Sequence, residues 1–130
     1  MPLPAVVIEA PMGAGLAKEL ARQGARVAVT DINLANAEKV AATIREAGGE
    51  AIALHCDVCE RASINATRDS ATEALGPVQL VFANAGATSF THLADMSDED
   101  VDWIIQVNLM GVMNTTRAFL PGMVAVGGGH

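Results

Sequence analysis

Residues 4–31 read PAVVIEAPMGAGLAKELARQGARVAVTD, and they hold one full period of the pattern on which the rest of the chain is built. Pro4 to Ile8 is a short, β-branched apolar run, the composition of a strand buried on both faces. Leu16, Ala17, Leu20 and Ala21 then fall on one side of a helix over Ala14 to Gln23, and Gly24 follows it as a C-terminal stop. Arg26 to Asp31 returns to the strand signal. A strand, a helix and a second strand in so short a space predict two parallel strands joined by a right-handed crossover.

Working outward, the period recurs. Asn33 caps a helix running to about Ala47, which Gly48 and Gly49 stop. Glu50 to Asp57 forms a third strand, and Glu60 to Leu75 a third helix closed by Gly76 and Pro77. Val78 to Ala83 forms a fourth strand ending in Asn84-Ala85-Gly86. Four strands alternating with helices predict an α/β fold, a doubly wound parallel sheet with helices on both faces. After a polar loop with Thr88, Ser89, Thr91 and His92, Ser97 opens a Ser-Asp-Glu-Asp cap whose carboxylates suit a helix N-terminus. Val101, Ile104, Ile105, Val107, Leu109, Val112 and Met113 leave little of the long helix that follows wholly polar, so it is expected to pack on the sheet and on a second subunit. Gly127 to Gly129 end it. The pattern is that of a single domain over residues 1–130.

Composition narrows the function. At 130 residues and 51% hydrophobic the chain can build a core without disulfides. Its 15 acidic against 8 basic residues, a net charge of -7, exclude a nucleic-acid partner, because such binders collect cations against phosphates. No run approaches the roughly 18 apolar residues of a membrane span, and no charged leader precedes an apolar one. Cys56 and Cys59 read as free thiols of a reducing, cytoplasmic compartment. With His55 they make too few ligands for a closed zinc site, and no metal is expected.

The turns carry the chemistry. Gly13 and Gly15, placed between a strand and a helix, let backbone N–H groups approach a pyrophosphate, although a tight turn without ligand would use the same residues. Asp31 ends the second strand 18 residues after Gly13, near the roughly 20-residue offset at which a carboxylate accepts both ribose hydroxyls of adenosine. The bland alternative is a helix-capping Asp before Asn33. With Ile32 and Asn33 beside it, no cation offsets its repulsion of a 2′-phosphate, so NAD is preferred over NADP.

Met12-Gly13-Ala14-Gly15, Thr30-Asp31, Cys56-Asp57-Val58, Ala83-Asn84-Ala85-Gly86 and Val107-Asn108, in that order, resemble the classical short-chain dehydrogenase/reductase family, a Rossmann-type fold. The resemblance covers about the first half of such a protein, cut after the fourth strand and the long helix. It implies a cofactor site of Met12, Gly13, Ala14, Gly15, Asp31, Ile32, Asp57, Val58, Asn84, Ala85 and Gly86, with Asp57 on the adenine amine and Val58 on its ring. Asn84 would also tie neighbouring strands. The resemblance gives Asn108 a catalytic part, holding a water in a proton relay; a helix-packing amide is the alternative. The implied reaction moves hydride between a nicotinamide and an alcohol or ketone, in a homo-oligomer paired through the long helix.

Two departures matter. The family's Thr-Gly-x-x-x-Gly-x-Gly is one residue short here, and Glu9-Ala10-Pro11 replaces its first glycine. Pro11 removes an N–H donor, Ala10 suits positive φ poorly, and Glu9 sets a negative charge near the phosphates. The chain also contains no tyrosine, and its only lysines are Lys18 and Lys39, so the family's Ser, Tyr and Lys would lie past His130. The 130 residues alone are expected to be catalytically inactive. Two other readings stay open: a nucleotide-binding module without chemistry, and an interaction protein that pairs through the long helix.

Overall fold

The computed structural model describes residues 2–130. Strands β1 (Pro4–Ile8), β2 (Arg26–Asp31), β3 (Glu50–His55) and β4 (Leu80–Phe82) alternate with helices α1 (Ala10–Arg22), α2 (Leu34–Glu46) and α3 (Arg61–Leu75). Beyond a short 3-10 turn at Leu93–Asp95 come α4 (Asp98–Ile105), a π-helical stretch at Gln106–Gly111 and α5 (Val112–Ala125). The strands form one parallel sheet in the order β3-β2-β1-β4. Val6 pairs with Ala28 and with Val81, so β1 lies at the centre.

Alternation along β1 and β2 feeds two cores. Val6, Ile8 and Ala28 face α3 and α5, packing with Ile64, Leu75, Phe119 and Met123. Val7, Val27 and Val29 face α1 and α2, packing with Ala17, Ala37, Ala41 and Ile44. The doubly wound arrangement is therefore physical: two apolar layers, one per face of the sheet. Alanines dominate the α1–α2 side, which draws those helices close to the strands. At the free edge of β4, the backbone of His130 donates to the Gln79 carbonyl (2.8 Å) and accepts from the Val81 N–H (2.9 Å).

Four elements differ from the sequence reading, among them β3, which ends at His55 instead of Asp57. Helix α1 starts at Ala10 instead of Ala14, so Gly13 and Gly15 lie within its first turns rather than in a loop. With one residue fewer between strand and helix, Glu9 alone makes the turn. Glu9 therefore takes positive φ (67°), while Ala10 is helical, the reverse of the strain expected at Ala10. The long helix is interrupted at Gln106–Gly111 by the π turn. Strand β4 is three residues long, shorter than the run from Val78 to Ala83. Among the described residues no helix is long and apolar enough to cross a membrane.

Candidate nucleotide site at the carboxyl ends of the strands

Parallel strands all point their carboxyl ends to one edge, where the crevice of a doubly wound sheet opens. The strand order puts Asp57 beyond β3, Asp31 at the end of β2, Glu9 after β1 and Ala85-Gly86 after β4, in that sequence across the edge. A cavity of about 220 Å3 lies there. Its walls include Asp31, Ile32, Asp57, Val58, Gly86 and Trp103, and Glu9 also lines it.

Asp31 is buried, 4% exposed, and its carboxylate is shared. Oδ2 accepts the N–H of Ala10 at 3.0 Å, capping α1 from a neighbouring strand. Oδ1 accepts the N–H of Asn33 at 2.7 Å and the Asn36 amide at 3.4 Å. Oδ1 thus has both lone pairs engaged, and Oδ2 keeps one for a further donor. The capping and ligand readings of Asp31 are compatible, because a carboxylate has about four acceptor sites. Asp57 resembles it: its Oδ1 accepts the Cys59 N–H at 2.9 Å, and its own N–H goes to Ser63 Oγ at 2.9 Å. Val58 is buried beside it, and Gly111 of the π turn approaches so closely that an added Cβ would stand 3.0 Å from Val58 Cγ2.

The Gly-rich residues are placed otherwise. Gly13 is buried, and a Cβ there would stand 2.6 Å from Val7 Cγ1, so this glycine allows α1 to lie against β1. Gly15 is exposed with open space around it, Met12 is 76% exposed, and Ala14 is half-buried. None of the four lines the cavity. The first turn of α1 offers few free donors: Ala10 gives its N–H to Asp31, Pro11 has none, and the Gly13 N–H returns to the Glu9 carbonyl at 2.9 Å.

Asn84 is exposed, and among the described residues its carboxamide bridges no strands, contrary to the expected tie. That tie is made instead by two other side chains. Glu9 Oε2 accepts the Gly86 N–H at 3.2 Å, linking β1 to the segment after β4. Asn108 clamps the same segment: Oδ1 accepts the Ala87 N–H at 2.7 Å, and Nδ2 donates to the Ala87 carbonyl at 2.8 Å. Asn108 is exposed, not enclosed in apolar surroundings as its helical neighbours had implied, and both amide atoms have partners. Trp103 and Glu9 are among the wall residues that the sequence-based site leaves out, along with Ile8, Cys56, Cys59, Ala87 and Val107; Glu9 enters the sequence reading only as a charge near the phosphates.

Cys56 is buried and Cys59 half-buried, both as free thiols. Burial pushes the Cys56 thiol up, partly offset by the neighbouring Thr67 and Thr30 hydroxyls. Cys59 is raised as well, by desolvation and by the charges of Asp57 and Glu60. Among the described residues no three His, Cys, Asp or Glu side chains gather as a metal site.

Comparison with known proteins adds independent weight. A family model described as short chain dehydrogenase matches residues 6–130. A short-chain type dehydrogenase/reductase of Sinorhizobium fredii is 38% identical over 119 residues, which are 91% of this chain and 47% of the relative. Oxidoreductase UcpA of Escherichia coli is 37% identical over 114 residues, covering 88% of this chain and 43% of that protein. Among solved structures, a Burkholderia phymatum short chain dehydrogenase/reductase in complex with NAD superposes with a TM-score of 0.90 at 32% identity, over 96% of this chain and 46% of its own. An alcohol dehydrogenase of Thermococcus sibiricus, complexed with 5-hydroxy-NADP, does so with 0.92 at 34%, over 98% and 56%. The chain thus spans about half the length of the relatives it matches.

Proposed function

The chain belongs to the short-chain dehydrogenase family, and from that premise we propose that it is the cofactor-binding half of an NAD-dependent oxidoreductase acting on a small alcohol or ketone. The observation that carries the reading is the buried Asp31 at the wall of the carboxyl-edge cavity, with acceptor capacity left on Oδ2 and no cation beside it. The residues fit the adenosine end of a dinucleotide. Asp31 and Ile32 would hold the ribose, and Asp57 and Val58 the adenine. Ala85 and Gly86 border the route onward, and Asn84 lies at its start.

The pyrophosphate end fits less well. Met12, Gly13, Ala14 and Gly15 belong to α1 rather than to an open loop, and Glu9 adds a negative charge. When bound, the nicotinamide supplies a hydride acceptor or donor. This chain's own residues bind and orient: Asn108 holds the backbone at Ala87, and with it the segment from Asn84 to Gly86. In this reading it is a positioning residue, and a water held by it for proton transfer is a second use of the same amide. No tyrosine is present among the 130 residues to move a proton at the substrate oxygen, so the chain by itself is inactive. The free thiols suit a reducing cytoplasm.

Titration of the 130-residue chain with NAD and NADP, followed by amide NMR shifts, tests the proposal. Expected is a preference for NAD of at least tenfold, since a 2′-phosphate about 4 Å from Asp31 costs on the order of 1–4 kcal/mol. Asp31→Ser should erase that preference. Absence of any NAD-induced shift at Ile32, Val58 or Gly86 would remove the cofactor reading. In a dehydrogenase assay the chain should give no NADH with any alcohol, and turnover would overturn the assignment of inactivity.

A second reading, pairing of chains through the last helices, is favoured by one observation. Trp103, Ile105, Leu109, Val112, Met113, Leu120 and Val124 are all between 39% and 70% exposed, and all lie on α4, the π turn and α5.

A further inference from the structure

Across the carboxyl edge the order Asp57, Asp31, Glu9, Gly86 is a row of three carboxylates closed by a backbone N–H. No lysine or arginine lines the cavity they border. At about 220 Å3 it is smaller than the roughly 300–1,000 Å3 of ordinary small-molecule clefts. We propose that Glu9 makes this cavity selective for an uncharged nucleoside, adenosine by its chemistry, over any ligand that carries phosphate past it. The inference rests on the adenosine reading of the same site and narrows it.

Three features of the turn support the assignment. First, Glu9 is the one non-glycine residue with positive φ among the described residues, and that conformation is costly for an L side chain. The turn is retained with Glu9 Oε2 on the Gly86 N–H at 3.2 Å, so its carboxylate stands where the route from β2 toward β4 crosses β1. Second, the anion-binding capacity of the α1 N-terminus is mostly used, with only the Met12 N–H left free in the first turn among the described residues. Ala10 donates to the Asp31 carboxylate, Pro11 has no N–H, and Gly13 donates to Glu9. A phosphate arriving there would meet a carboxylate and find few donors. Third, a nucleoside meets the opposite situation: hydroxyl donors suit Asp31, an exocyclic amine suits Asp57, and Val58 and Ile32 offer apolar cover. It brings no charge for Glu9 to repel.

The test is an NMR titration of the isotope-labelled 130-residue chain with adenosine, AMP and NAD at matched ionic strength. Its probes are the Gly86 and Ala10 amides and the Trp103 indole N–H. Adenosine is expected to bind about tenfold more tightly than AMP, the scale of one like-charge contact in a partly exposed site. Glu9→Gln should strengthen AMP and NAD by about that factor and leave adenosine within twofold. Glu9→Gly, which also relieves the positive φ, serves as a second variant should the first fold poorly. Tighter binding of AMP or NAD than of adenosine by the wild-type chain overturns the inference while leaving the cofactor reading in place. The inference also fails if the adenosine preference is the same in both variants as in the wild type. If neither adenosine nor NAD moves any of the three probes, both readings fall.

Discussion

At the scale of single residues, Asp31 and Gly13 show how much of the site is also scaffold. Asp31 accepts the buried N–H of Ala10 and the N–H of Asn33, so it joins the starts of α1 and α2 to the end of β2. Asp31→Ala leaves the Ala10 donor unsatisfied and is expected to lower unfolding free energy by about 1–3 kcal/mol, measured by urea denaturation. An unchanged midpoint would mean water replaces the carboxylate. Gly13→Ala pushes a methyl to within 2.6 Å of Val7 Cγ1 and is expected to cost about 1–3 kcal/mol. In a double-mutant cycle with Val7→Ala most of that loss should disappear, because the clash has only one partner at that distance. Gly13 was legible in the sequence as a glycine with a task, but its spacing could not reveal which one. The same small residue serves a phosphate loop or a close helix-strand approach, and the missing residue before it decided for the second. Cys56 and Cys59 carry a pH consequence. Both thiols are held above their ordinary value of 9.0, so the folded state keeps protons that the unfolded chain gives up first. Stability from these groups is whole below pH 9.0 and falls as pH rises through it, and alkylation of Cys56 at neutral pH should require unfolding.

At the scale of elements, β1, β2, α2 and α3 were readable almost to the residue, since β-branched runs and glycine stops mark their ends. Strands β3 and β4 came out shorter than their apolar runs, and two helices differed more. Helix α1 begins four residues early because Asp31, 21 positions away, supplies its cap, and a tertiary cap leaves no local trace. The long helix was read as continuous because its apolar residues recur at helical spacing on either side of the π turn. An inserted residue in such a turn shifts the buried face without breaking the pattern, and here the shift seats Gly111 on Val58 and aims Asn108 at Ala87. Asn108→Ala should therefore free the segment after β4 while leaving the sheet intact. Hydrogen exchange at the Ala87 amide is expected to rise by about tenfold or more, the worth of one to two hydrogen bonds, with amides of β1 and β2 unchanged. A uniform rise across the sheet would show that Asn108 supports the whole fold instead.

At the scale of the molecule, charge and apolar surface are divided unevenly, and that division bears on assembly. Both faces of the sheet are covered, yet the outer side of α4, the π turn and α5 keeps large apolar side chains in solvent, among them Val112 at 39%, Met113 at 49% and Leu120 at 50% exposure. The sequence disclosed the apolar content of this helix but not its division, because Phe119 and Met123 enter the core between neighbours that stay outside. Single exposed apolar residues are ordinary, whereas a row of them along one pair of helices marks an interface. A stable symmetric pair buries about 800 Å2 on each partner, within reach of two helices packed against their copies. The net charge of -7 opposes association at long range, and added salt should favour it by screening. The chain is thus expected to sediment as a dimer at micromolar concentration, more completely at about 0.5 M than at 0.05 M salt. Met113→Lys combined with Leu120→Lys should give a monomer with unchanged circular dichroism. A wild-type chain that stays monomeric at every salt concentration would rule out self-pairing, and persistence of the dimer in the double variant would place its interface elsewhere on the molecule.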